Sequence, residues 1–156
     1  MIVSSEVSNC MVTNMDERFE RCLRERKLVK EKPQPDLVEK ELMAAKSDLE
    51  TAENSISEGN FKWATVQAYY TMFHTAKALI TSKGYREKSH ACLSIALNAL
   101  FVDTNILEAK HHIRFRDCMG LREDADYGVV YSEGSAKAAV GWAKEFLEEA
   151  KEKILV

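Results

Sequence analysis

The stretch Phe61 to Ser82, FKWATVQAYYTMFHTAKALITS, decides the fold. Trp63, Val66, Tyr69, Tyr70, Met72, Phe73, Ala76, Leu79 and Ile80 cover most of the circumference of a helix, so the segment reads as a central helix covered on several sides. The partners lie on either side of it. Upstream, Val38, Leu42, Ala45, Leu49, Ala52 and Ile56 recur at spacings of four and three, giving a helix of about 20 residues with one buried face. Asp36, with Glu39 three residues on, is its expected N-cap. Downstream, Ser89 is placed to cap a helix carrying Cys92, Leu93, Ala96, Leu97, Leu100 and Phe101, and Ser132 one carrying Ala136, Val140, Ala143, Leu147, Ala150 and Ile154.

Composition agrees. Of 156 residues only six are glycine and two proline, too few turn residues for a sandwich or barrel. The expected fold is all-α, an up-and-down bundle of about five to six helices. With 46% hydrophobic and 30% charged residues, the chain can bury a core without disulfides or metal. Cys10, Cys22, Cys92 and Cys118 show no metal-ligand or CxxC spacing, so they are expected as reduced thiols, with no structural metal and no cofactor. The net charge of −3 argues against wholesale coating of nucleic acid or anionic lipid. No run approaches the roughly 18 apolar residues of a membrane span, and no signal-like leader is present, so a cytoplasmic protein with no membrane association is expected.

Three regions are expected. Residues 1–15 form a loose tail, with Met15 an alternative start to Met1. Residues 16–35 hold a one-sided helix from Asp16 to about Lys30, bearing Phe19, Cys22 and Leu23, and a corner made by Pro33 and Pro35. Residues 36–156 form the bundle. A further helix is expected from about Asn105 to Met119, and helical continuity should fail between Gly120 and Gly134.

Four places can carry chemistry. Tyr69, Tyr70, Phe73 and His74 on the central helix read as aromatic core packing or as a ligand pocket. The segment Gly84 to His90, GYREKSH, is a solvated loop or, with Lys88 and His90, part of an anion site. Lys110 to Arg116, KHHIRFR, is an exposed charged face or a stripe tracking a nucleic-acid backbone; His111 and His112 point roughly 100° apart and are a poor chelating pair. Arg122 to Tyr127, REDADY, is a salt-bridge and capping network or a functional site.

Taken together, YYTMFH at 69–74, AKAL at 76–79, GYREKSH at 84–90 and LREDADYG at 121–128 resemble the HEPN domain, in particular its small stand-alone branch from archaea and bacteria, from about Leu37 to Leu147. The resemblance implies an up-and-down helical bundle, commonly a homodimer. It further implies a frequent partner, a minimal nucleotidyltransferase, in a two-component or toxin–antitoxin-like system. Many members are metal-independent RNases whose motif is Arg, four to six residues, then His. There the arginine holds the scissile phosphate and the histidine moves a proton. Here the arginine maps to Arg122, but Tyr127 stands where the histidine would fall, and a phenol with an ordinary pKa near 10 is a poor base at neutral pH. Arg86 and His90 have three intervening residues and miss the motif. The favoured expectation is a non-catalytic or weakly catalytic module. Lys88, His90, Arg122, Asp126 and Tyr127, with Tyr70 and His74, form its site for a nucleotide or other phosphate-bearing ligand, RNA, or a protein partner. The alternatives are an RNase using Arg122 with His90 or His74 as base, and a purely structural adaptor.

Overall fold

A computed structural model describes residues 17–127 and 132–155, the side chains of 123–127 and of Leu155 excepted. The expected tail and the choice of start lie outside the described residues. Six α-helices and a two-stranded ribbon make up the described chain. Helix α1 spans 17–24. It is followed by β1 (Leu28–Lys30), α2 (Pro35–Ser57), α3 (Phe61–Ser82), β2 (Tyr85–Glu87), α4 (His90–Leu97), α5 (Ala109–Tyr127) and α6 (Glu133–Leu155). The all-α bundle follows the sequence reading. Helix α3 is its axis, packing against α2, α4, α5 and α6, with Ala64, Ala68, Tyr69, Met72, Ala76, Leu79 and Ile80 buried. A helix covered on several sides must be apolar on several sides, which is what its sequence shows. Trp63, counted with that apolar surface, is 49% exposed instead.

Local signals explain most boundaries. Gly59, at φ +74°, turns the chain between α2 and α3. Ser89 Oγ accepts the backbone N–H of Cys92 at 3.2 Å, and Ser132 Oγ that of Ser135 at 3.0 Å, so both serines cap as expected. Helix α2 starts earlier than Asp36: Gln34 is the N-cap and Pro35 the first residue. Proline's fixed φ and missing N–H suit that first position.

Four expectations fail for physical reasons. The first helix stops at residue 24, because Arg26 takes φ 57° and the chain then extends into β1. Strand β1 pairs antiparallel with β2, Leu28 opposite Glu87, Val29 opposite Arg86 and Lys30 opposite Tyr85. The N–H groups of Glu31 and Lys88 extend the ladder to the carbonyls of Gly84 and Lys27. Three-residue strands have no periodicity to read, and the partner is far along the chain. Next, α4 gives way at Asn98–Val102 to a π-helical turn, so α5 begins at Ala109, after Asn105 at φ 60°. Thirdly, α5 runs through Gly120 to Tyr127, since a helix tolerates one glycine at a cost of about 1 kcal/mol. Lastly, Cys22 and Cys92 are joined in a disulfide, Cα to Cα 5.9 Å, across a sequence separation of 70. The two cysteines meet only because β1 and β2 lay α1 beside the start of α4.

Candidate functional site

Helix α5 carries Arg122 to the face of α3. Its guanidinium carbon sits 5.0 Å from the Tyr69 ring centroid, and Nη1 reaches the Tyr70 hydroxyl at 3.5 Å. Tyr69 is fully buried, stacked on Phe115 of α5 with centroids 5.9 Å apart and edge-to-face with Tyr70 at 5.3 Å. These contacts hold its hydroxyl 2.6 Å from His90 Nδ1. The Ser89 cap makes His90 the first residue of α4, and its ring packs on Phe73 with centroids 4.7 Å apart. Arg122, Tyr69 and His90, from three helices, thus form one continuous polar and aromatic unit. His90 is exposed, and among the described residues its Nε2 makes no hydrogen bond.

Burial pushes the His90 pKa down and the Arg122 charge pushes it further; Lys77 adds to this, while Glu87 opposes. A neutral imidazole at pH 7 follows, with one ring nitrogen committed to Tyr69. A neutral imidazole beside a guanidinium can accept a proton from a hydroxyl and steady a phosphate.

The other residues singled out in the sequence divide. Tyr70 joins the cluster through Arg122. Lys88 is exposed two residues from His90 and contributes its backbone N–H to the ribbon. His74 faces α2: its Nδ1 lies 2.6 Å from Glu41 Oε2 and its Nε2 3.7 Å from Asp48 Oδ2. Lys77 closes that network at 3.3 Å from Glu41 and 3.5 Å from Glu87. Asp126 and Tyr127 lie on α5, but their side chains fall outside the described residues.

The KHHIRFR run is divided: His111, His112 and Phe115 are buried, while Lys110, Ile113 and Arg116 are exposed. His111 is buried against Glu149 at 2.5 Å, His112 against Ser94 at 3.0 Å, and Phe115 is fully buried. Arg114 pairs with Glu145 and covers Trp142 at 5.4 Å. Cys118 is buried and free, its thiol pushed up by burial to about 12, too high for a nucleophile. Among the described residues no three His, Cys, Asp or Glu side chains converge as metal ligands, and no helix is long and apolar enough to cross a membrane. Tyr69 is the central group, which the sequence reading left between core packing and a ligand pocket without counting it among the site residues; its spacing of four from Phe73, with His90 at a cap, is the local hint of its second role.

The sequence model of the HEPN domain matches residues 38–154. Among curated proteins, "Putative toxin MJ0142" of Methanocaldococcus jannaschii is 29% identical over 58% of this chain and 61% of its own length. "UPF0332 protein PH1297" of Pyrococcus horikoshii is 31% identical over 47% and 52%. "Putative toxin MJ0605" of Methanocaldococcus jannaschii is 28% identical over 69% and 81%. The chain therefore spans about half to three-fifths of the length of the first two relatives.

Proposed function

The chain belongs to the HEPN domain family, and on that footing we propose that it is a non-catalytic or weakly catalytic module of a two-component, toxin–antitoxin-like system. Its Arg122 cluster binds a phosphate-bearing ligand, a nucleotide among them, or a nucleotidyltransferase partner that presents one. The observation that carries the reading is the Arg122 guanidinium on the Tyr69 face, with the Tyr69 hydroxyl on exposed His90. A guanidinium supplies a fixed fork of donors for phosphate, and an exposed neutral imidazole supplies or accepts one more hydrogen bond. Two relatives whose names include "toxin" support the two-component setting. We further propose a cytoplasmic homodimer; light scattering should give about twice the 17.7 kDa chain mass, and a monomer mass at micromolar concentration would refute it.

Titration with adenosine 5′-monophosphate, followed at the His90 ring resonances, tests the ligand reading. Saturable shifts in the wild type that vanish in Arg122→Ala are expected; unchanged shifts in that variant would sink it.

A second reading, a metal-independent RNase, is favoured by one observation: Arg122 and His90 converge on Tyr69 although their order in the chain misses the family motif. RNA cleavage that survives EDTA and is lost in both Arg122→Ala and His90→Ala would replace the ligand reading with this one.

A further inference from the structure

A second cleft, of about 440 Å³, opens between α1, α4 and α5 and includes none of Arg122, His90, Tyr69 or Tyr70. Its polar wall is Arg18, Arg116, His112 and Ser94, and its apolar wall includes Ile95 and Met119. Among the described residues no carboxylate lines it. Arg18 and Arg116 are exposed, and among the described residues neither side chain makes an ion pair or a hydrogen bond. Two residues along the same helix, Arg114 is by contrast taken up by Glu145 and Trp142.

The floor is polar and built. His112 is only 8% exposed, and its Nε2 is hydrogen-bonded to Ser94 Oγ at 3.0 Å. Burial, and then the Arg116 charge, lower the His112 pKa, so the ring is neutral. In either tautomer the pair keeps one unused donor: the Nδ1–H when the serine donates, the serine O–H when the ring does. Two guanidinium groups and a neutral donor pair, with no counter-charge among them, make a cavity suited to a dianion. Arg18 comes from α1, which the Cys22–Cys92 disulfide ties to the same helix that supplies Ser94 and Ile95.

We propose that this cleft is a separate anion site that takes a small phosphomonoester, its phosphate between Arg18 and Arg116 and its apolar body on Ile95 and Met119. The site is independent of the Arg122 cluster, and His112 reports on it as His90 reports on the other.

The test is a titration of the full chain with phenyl phosphate, inorganic phosphate and phenol, followed at the ring resonances of His112 and His90. Saturable His112 shifts are expected with both phosphates, tighter with phenyl phosphate, and none with phenol. Arg116→Ala and Arg18→Ala, both at exposed positions, should each weaken binding about tenfold or more, the loss of a charge-assisted hydrogen bond. Arg116→Lys should recover part of the affinity. The His112 response should persist in Arg122→Ala. A His112 ring that ignores phosphate, responds as well to phenol, moves equally in Arg116→Ala, or falls silent in Arg122→Ala overturns the proposal. A silent His90 with a responsive His112 refutes the Arg122 reading and leaves this one standing.

Discussion

Replacing Cys22 by alanine should cost the protein about 4 kcal/mol. The disulfide to Cys92 closes a loop with a sequence separation of 70, and the chain-entropy relation for a loop of that length gives about 4 kcal/mol at 25 °C, chiefly by restricting the unfolded chain. Alanine is small and the site is buried, so little new packing strain accompanies the change. Urea denaturation is the assay. With a slope of roughly 2 kcal/mol per molar, the midpoint should fall by about 2 M. A reductant should move the wild type by the same amount and leave Cys22→Ala where it is. Denatured without reductant, the wild type should titrate two fewer thiols than it does after reduction, since Cys22 and Cys92 are paired. An equal thiol count before and after reduction, or a wild-type midpoint indifferent to reductant, would refute the reasoning.

Three further outcomes follow from the geometry. Arg122→Ala should raise the His90 pKa, because it removes a positive charge that holds the ring neutral; a histidine NMR titration showing no rise would contradict the placement of the two groups. Glu41→Gln should cost about 1–3 kcal/mol at pH 7. Burial pushes the Glu41 carboxyl up, but the His74 hydrogen bond and the Lys77 charge outweigh it and hold it below the usual value. That stabilisation is present above the unfolded pKa and lost as pH falls through the lowered folded one, so the gap between wild type and variant should hold at neutral pH and shrink progressively as the solution is acidified below the ordinary glutamate range; a gap that does not shrink on acidification would contradict it. Gly84→Ala should destabilise by about 2 kcal/mol or more, since φ is +84° and the new Cβ would lie 2.5 Å from the Glu31 carbonyl oxygen. Gly120→Ala, inside α5 with open space at its Cβ, should instead stabilise by about 0.5–1 kcal/mol. Melting curves read both signs.

Elements whose signal is local were legible in the sequence. The four-and-three spacing of Leu42, Ala45, Leu49 and Ala52, the wrap-around apolarity of 61–82, and the caps Ser89 and Ser132 each report a preference settled within a turn or two of helix. What escaped depends on partners distant in the chain. Leu28–Lys30 is a strand only because Tyr85–Glu87 is beside it, and Cys22 meets Cys92 only because that ribbon exists. The basic run from Lys110 looked solvated because charge alone cannot show that Ser94 and Glu149 wait to receive His112 and His111. The candidate site was half legible. Arg122, His90 and Tyr70 stood out as residues, but their convergence on Tyr69 is tertiary, and no spacing along one helix encodes it.

The ribbon changes where the working unit of this protein begins. The family match starts at residue 38, whereas contacts draw the boundary earlier. Residues 17–37 supply Leu28 and Cys22 to the core, the strand that completes β2, and one wall of the second cleft. Two crosslinks, one covalent and one a hydrogen-bonded ladder, run from this arm to the segment between α3 and Cys92, and His90 lies between their landing points. The arm and the histidine therefore share one cooperative fate. Amide exchange should find Val29, Lys88 and the start of α4 opening together, and a chain begun at the family boundary would keep its bundle while losing the anchor that sets His90 in place.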